Sequence, residues 1–236
     1  MNKEELKNLI NDNLAYRSPL GDHHFDLLEK LMNITLKENE KFNLTAIKDE
    51  NDFRELMIYD SLVPMKYFDF DNKNVLDVGS GAGFPGLPLA ISTSGNYTLI
   101  DSTNKKIGHI CRVIDEFKLD NVSAVCARAE DYAKDNREKY DYVIARAVSQ
   151  LSMLVELCLP LVKVGGSFIA MKGANGEEEL KEATRAIEKL GGKVQAIKTD
   201  QLPLSKEKRI LIEIAKVKAT NSKYPRAYSE IKSKPL

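Results

Sequence analysis

The sequence is short of the residues that mark secreted, metal-binding or membrane chains. Its 236 residues include only three cysteines and three histidines. Cys111, Cys126 and Cys158 are widely separated and show no C-x-x-C spacing, which argues against a disulfide framework and against zinc. Cys126 falls on an expected strand, where a buried and unreactive thiol is anticipated because no neighbour in sequence would activate it. His23, His24 and His109 lack metal-ligand spacing and are assigned no chemistry, so no metal is expected. No apolar run approaches the ~20 residues of a membrane span. The amino-terminal Met1-Asn2-Lys3-Glu4-Glu5 has no apolar signal core. These absences lead to the expectation of a cytoplasmic protein that does not act at a membrane. There is no internal repeat and no low-complexity segment either.

What is present suits a globular protein. The chain is 43% hydrophobic and 30% charged, the composition of an ordinary soluble domain. Its length fits one large domain, or one domain with a small extension. The formal net charge is zero but unevenly placed. Residues 1–60 carry 8 Lys/Arg against 13 Asp/Glu, a net −5, whereas residues 205–236 carry 9 against 3, a net +6. A basic end on a neutral chain points to a polyanion contact, against the plainer reading of a solvated tail.

Period divides the chain in two. From Glu4 to about Phe68 the pattern is helical; Phe25, Leu28, Met32 and Leu36 form one apolar stripe behind Asp22, an expected N-cap. A second helix is expected over 49–67, interrupted or ended near Pro64. After Asp71-Asn72, short β-branched runs alternate with helical stretches, the mark of βαβ units and a parallel sheet. Strands are expected at 74–78, 97–100, 122–126, 140–145, 167–171, 193–197 and 209–216, with helices near 86–91, 105–117, 151–161 and 177–190. The fold class is therefore α/β, a Rossmann-like doubly wound seven-stranded sheet over 71–236 with a small helical extension over 1–70. The last two strands are expected to form an antiparallel hairpin at one edge, and a monomer is expected.

The sharpest segment is Val75-Leu76-Asp77-Val78-Gly79-Ser80-Gly81-Ala82-Gly83-Phe84-Pro85-Gly86. It follows a strand and opens a helix, the context in which a glycine loop carries meaning. In doubly wound sheets such a loop meets ligand outside the carboxyl ends of the strands. Gly81, Gly83 and Gly86 also satisfy G-x-G-x-x-G, so NAD is a candidate. Asp77 argues against it, since a carboxylate beside a pyrophosphate is repelled at short range. S-adenosylmethionine has no phosphate and carries an ammonium and a sulfonium, which a carboxylate favours. Asp101 ends the next strand, where an acidic residue meets ribose hydroxyls. Arg128-Ala129-Glu130-Asp131 follows the third strand, placed to meet adenine, and Ala145-Arg146-Ala147-Val148 ends the fourth.

These segments resemble the RsmG (GidB) family of small-subunit ribosomal RNA guanine-N7 methyltransferases. The resemblance rests on residues 75–86, Asn43-Leu44-Thr45-Ala46-Ile47, Asp60-Ser61-Leu62, Asp101-Ser102 with Lys105-Lys106, Arg128-Ala129-Glu130, Ala145-Arg146-Ala147-Val148, Lys172 and Tyr224-Pro225-Arg226. It implies a class I methyltransferase that uses S-adenosyl-L-methionine on 16S ribosomal RNA, free or in a 30S-type particle. By this resemblance and the loop argument, the cofactor residues are Asp77, Gly79, Ser80, Gly81, Gly83, Phe84, Asp101, Ser102, Thr103, Asn104, Ala129, Glu130 and Arg146. Lys105, Lys106, Lys172, Arg209 and Arg226 are candidates for RNA phosphate. Three departures from the family pattern stand out: Met57 where relatives carry histidine, His109-Ile110 in place of Phe-Leu, and a tail after Arg226 without the usual glycine and proline.

The chemistry agrees with an N7 target. Methylases of exocyclic amino groups often carry an Asn/Asp-Pro-Pro-aromatic run after the fourth strand, whereas this chain has Ala-Arg-Ala-Val. Guanine N7 is an unprotonated acceptor, so no general base is expected. Arg146 is the candidate for positioning the base or the cofactor carboxylate. Two rivals differ in class. A small-molecule or protein methyltransferase of the same fold would not need the basic end. A non-catalytic RNA-binding or assembly factor would not need the intact 77–83 loop.

Overall fold

The computed structural model describes residues 1–14 and 19–236. Helix α1 (Lys3–Asn13) opens with a capping box between Asn2 and Glu5. That box satisfies two of the backbone donors a helix start leaves free. Helix α2 (Asp22–Phe42) buries Phe25, Leu28, Leu31 and Met32, the expected stripe with Leu31 added and Leu36 only partly buried. Gly21 is its N-cap rather than Asp22, whose carboxylate instead takes a hydrogen bond from Lys7 Nζ at 2.5 Å.

The single helix expected over 49–67 is a composite. It runs as α3 (Glu50–Asp52), a π-helical stretch (Phe53–Tyr59), α4 (Asp60–Leu62) and a 3-10 turn (Val63–Lys66) that contains Pro64. π-Helical turns recur at functional sites because the wider turn re-aims side chains. Here the stretch sets Leu56 and Met57, with Asp60 just beyond it, along one wall of a cavity of about 680 Å³.

The remainder alternates strand and helix: β1 (Asn74–Val78), α5 (Gly86–Ser92), β2 (Asn96–Asp101), α6 (Asn104–Phe117), β3 (Val122–Cys126), α7 (Ala129–Asp135), β4 (Tyr140–Arg146), α8 (Leu151–Cys158), a 3-10 turn (Leu159–Leu161), β5 (Val162–Lys172), α9 (Gly176–Lys189), β6 (Gly192–Gln201), β7 (Lys208–Lys216) and α10 (Tyr228–Ser233). Helix α7 is an addition to the sequence-based expectation, and it is short and polar. The seven strands lie in the order 3-2-1-4-5-7-6. β1 to β5 are parallel, and β7 runs antiparallel to both β5 and β6. The expected terminal hairpin is present, with β6 at the edge and β7 inserted beside β5.

Two cores flank the sheet. α1, α2, the π stretch, α5 and α6 pack on one face, and α7, α8, α9 and α10 pack on the other. Residues 1–70 therefore cover one face of the sheet, as a layer of the same core. His109 cements that layer. It is wholly buried on α6, with Nδ1 2.7 Å from Glu38 Oε2 and Nε2 3.2 Å from Thr35 Oγ1, both on α2. Burial holds its pKa below the ordinary histidine value, against the pull of Glu38. Cys126 is a correction: it is exposed, because β3 is an edge strand with one face and one edge open.

β1 is the strand from which order runs both ways, pairing with β2 on one side and β4 on the other. Ligands in such sheets bind at the carboxyl ends of the strands at this reversal. The functional site is sought there.

Candidate cofactor and target site

The loop after β1 turns through left-handed backbone at Gly79, with φ +74°. A Cβ there would stand 2.6 Å from Val148 Cγ2, so only glycine allows the β4 end to close over the loop. Ala147, just before Val148, itself adopts φ +54°. A non-glycine residue in that region costs on the order of 1–3 kcal/mol and often marks a functional turn. The turn points Arg146 one way and lays Val148 over Gly79.

Asp77 lies beneath the loop, fully buried. Its Oδ2 accepts the Gly86 N–H at 2.9 Å, and a Cβ on Gly86 would fall 2.8 Å from that oxygen. Oδ1 has no hydrogen-bond partner among the described residues. Burial pushes this carboxyl up to about 7, against the opposing pull of the Gly86 N–H. The expected place of Asp77 beside ligand is thus replaced by one under the loop, where it organises the turn and lines neither cavity described next.

Two cavities meet at Gly79 and Val148. The smaller, about 310 Å³, is lined by Asp101, Ser102, Thr103, Ala129 and Glu130, together with Lys106, Arg128, Leu157 and Tyr228. Asp101 is largely buried. One oxygen accepts the Gly81 N–H at 3.1 Å and the other the Thr103 N–H at 2.9 Å. Each carboxylate oxygen has two lone pairs, so both retain acceptor capacity for a diol. Glu130 is a second buried carboxylate on the same wall. Two carboxylates in a cavity of nucleoside size supply acceptors for a hydroxyl-rich and amino-bearing ligand.

The larger cavity, about 680 Å³, is lined by Gly79, Ser80, Gly81, Phe84, Arg146 and Lys172, together with Lys106 and Arg209. Its opposite wall comes from the helical layer: Leu44, Thr45, Ile47, Leu56, Met57 and Asp60. The Asn39 side chain fixes that wall by accepting the Thr45 N–H and donating to the Thr45 carbonyl, both at 2.9 Å. Phe84 packs edge-on against Phe53, with centroids 5.5 Å apart. Arg146 Nη1 donates to Asp60 Oδ2 at 3.1 Å and to the Leu56 carbonyl at 3.0 Å. Its Nη2 lies 3.7 Å from Met57 Sδ. Arg209 Nε donates to the other Asp60 oxygen at 3.0 Å and its Nη1 to Glu207 at 2.9 Å. Lys172, nearly buried, donates to the Ser149 carbonyl at 2.6 Å and pairs with Glu179 at 2.7 Å.

The sequence candidates therefore divide. Gly79, Ser80, Gly81, Phe84, Arg146, Lys106, Lys172 and Arg209 converge on the larger cavity, and Asp101, Ser102, Thr103, Ala129 and Glu130 on the smaller. Asp77, Gly83 and Asn104 support the loops without lining either. Lys105 stands outside, its Nζ 5.8 Å from the Phe42 ring centroid. Arg226, expected among the phosphate contacts, lines neither cavity. Its backbone N–H and Nε each donate to Glu156 Oε1 at 2.9 Å, and Nη2 donates to Oε2 at 2.7 Å. Glu156 is wholly buried, so this arginine is committed to holding the chain end. Sequence reasoning gave no role to Leu56, Glu179, Glu207 or Tyr228. Asp60 and the 43–47 segment were signalled only as motif matches.

A family model described as rRNA small subunit methyltransferase G matches residues 24–210. The ribosomal RNA small subunit methyltransferase G of Brevibacillus brevis is 40% identical over the whole of both chains. Its Staphylococcus epidermidis counterpart is 45% identical over 92% of each chain. Among solved structures, M. jannaschii TYW2 in complex with AdoMet superposes with a TM-score of 0.56 at 17% identity, over 72% of this chain and 79% of that one. The cyclase SpnF reaches 0.58 at 15% identity, over 83% and 97%. These two speak for the fold alone, since one fold carries many chemistries. The family match covers most of the sequence, and the chain belongs to the rRNA small subunit methyltransferase G family.

Proposed function

We propose that this chain transfers a methyl group from S-adenosyl-L-methionine to N7 of a guanine in 16S ribosomal RNA. The observation that carries the reading is the pair of adjoining cavities at the glycine loop after β1, which share Gly79, Lys106, Ala147 and Val148, in a chain of this family. Asp101 and Glu130 suit the ribose and the adenine, with Ser102, Thr103 and Ala129 beside them. Gly79, Ser80, Gly81 and Phe84 suit the amino-acid end. When bound, the cofactor supplies an electrophilic methyl group. The orphaned Asp77 Oδ1 beneath the loop fits a cationic ligand, whose field would favour its ionised form.

Target binding falls to the open cavity. Arg146 is the positioning residue, held by Asp60 and the Leu56 carbonyl so that its guanidinium plane is fixed before any ligand arrives. Guanine offers O6 and N7 as acceptors on one edge. Since N7 holds no proton, the protein needs only to align it with the methyl group, and alignment can supply effective molarities of ~10⁵–10⁸ M. Lys106, Lys172 and Arg209 at the rim, with Lys105 outside it, are the phosphate candidates. The substrate is naked small-subunit RNA or a 30S-type particle, and the protein acts as a cytoplasmic monomer.

Incubation with methyl-labelled cofactor and small-subunit RNA, followed by nuclease digestion and mass analysis, is expected to yield 7-methylguanosine. Calorimetry is expected to show binding of S-adenosylhomocysteine and none of NAD. Label in an amino or hydroxyl position, or tight NAD binding, would overturn the reading.

A further inference from the structure

The smaller cavity has one wall that no glycine loop or strand end provides. Tyr228, the first residue of α10, faces it from the far end of the chain. The segment that delivers it is tied down at every step. Arg137 donates to the carbonyls of Thr220 at 2.7 Å and Tyr224 at 2.5 Å. Thr220 N–H donates to Glu138 at 3.0 Å. Arg226 is clamped on the buried Glu156 of α8, two residues before Tyr228. Ile231, three residues after it, is wholly buried in the core that α8 shares. Anchors on both sides leave the tyrosine ring little freedom, although the ring itself is only half-buried.

The ring's surroundings match a flat heteroaromatic base. The Arg128 guanidinium carbon lies 5.5 Å from the Tyr228 ring centroid, which orients the ring by cation–π attraction. Leu157 contributes apolar surface, and Glu130 stands on the same cavity wall as an acceptor. An aromatic face, an aliphatic side chain and a carboxylate together meet what a purine needs: a stacking surface and a partner for its amino group. The ring sits at the end of the tail that departs from the family pattern after Arg226, so this wall belongs to this chain's own sequence.

We propose that Tyr228 forms the base-stacking wall of the cofactor's adenosine subsite, with Arg226 and Glu156 as positioning residues that hold it there. The proposal rests on the assignment of the smaller cavity to the adenosine moiety. It makes the carboxy-terminal helix part of the cofactor site, and it assigns Arg226 an effect on cofactor affinity instead of on RNA.

The test is calorimetric titration of the full-length protein with S-adenosylhomocysteine and, separately, with 5′-methylthioadenosine, which lacks the amino-acid end. Tyr228→Ala is expected to weaken both ligands by about tenfold, the order of one lost stacking contact. Tyr228→Phe is expected to restore both to within about threefold, because the ring face and not the hydroxyl acts. Amide hydrogen exchange in residues 224–233 is expected to slow when either ligand binds to the unmodified protein, a readout that needs no variant to fold. Equal affinities in Tyr228→Ala and the unmodified protein, with no slowing in 224–233, would overturn the proposal while leaving the cofactor assignment intact. Failure of the unmodified protein to bind S-adenosylhomocysteine at all would instead overturn the assignment itself.

Discussion

The two cavities that join at Gly79 and Val148 are built on opposite plans. In the smaller, Asp101 and Glu130 share the lining with Arg128 and with Lys106, whose Nζ stands 3.7 Å from Asp101. In the larger, three basic residues are each already paired: Arg146 and Arg209 with Asp60, and Lys172 with Glu179. The first is a set of acceptors awaiting donors. The second is a network of fixed charges, whose geometry is decided before a ligand enters. On the proposed function, the smaller cavity reads a cofactor's hydrogen-bond donors, whereas the larger offers a target preset directions, as catalysis by alignment requires.

The largest break in this comparison should come from Arg146. Arg146→Lys keeps the charge but loses the planar guanidinium, whose Nη1 donates to Asp60 and the Leu56 carbonyl while Nη2 lies against Met57. The single-turnover methylation rate is expected to fall by about a hundredfold, the scale of a 1 Å misplacement, with little change in S-adenosylhomocysteine affinity. An unchanged rate in a variant that melts normally would remove Arg146 from the positioning role. Asp101→Ala should act on the other side. It is expected to weaken the cofactor by about 1–3 kcal/mol, measured by calorimetry, with RNA affinity intact. An unaltered cofactor affinity would mean the ribose is held elsewhere.

Asp77 supplies a pH test between the two cavities. Its folded pKa, raised to about 7, lies above the unfolded value near 3.9. The folded ligand-free protein therefore binds this proton more tightly than the unfolded chain does. The resulting stabilisation is present at low pH and is lost as pH rises from about 4 through about 7. Asp77→Asn cannot ionise, so chemical denaturation should show its stability gaining on the unmodified protein between pH 5 and pH 8, by on the order of a few kcal/mol. A difference that stays constant across this range would show that the carboxyl is ionised throughout.

The smallest effects concern the basic residues. Lys172→Ala is expected to shallow the salt dependence of RNA binding by roughly one unit of slope or slightly less. Arg226→Ala is expected to leave the slope unchanged and to lower the melting temperature, since it strands the buried Glu156. A shallower slope with normal melting would return Arg226 to the phosphate contacts.

What the sequence made legible follows from the range of the interactions involved. The strand over 122–126 and the 74–86 loop were readable because period and glycine spacing are local signals. The doubly wound sheet followed from the alternation of strand and helix, and the terminal hairpin from the short 200–204 segment between the last two strands. The π-helical stretch was not readable, since its turns are set by packing against α2 and the sheet. The +6 balance of the last 32 residues suggested free charge, yet Lys216 is buried against Thr220 and Glu138. Arg209 and Arg226 are paired with Asp60 and Glu156. Such pairings join residues 70 or more positions apart, and composition carries no trace of them. Tyr228 escaped for the same reason.

The central claim is that methyl transfer is alignment of an unprotonated nitrogen, with no proton removed by the protein. Its most direct test is the single-turnover rate with saturating cofactor and small-subunit RNA, measured from pH 6 to 9, with the methylated nucleoside identified at each pH. The account predicts a nearly flat profile and 7-methylguanosine throughout, since no essential side-chain ionisation is invoked. A rise of about tenfold per pH unit, abolished by substituting a single carboxylate or histidine, would contradict it.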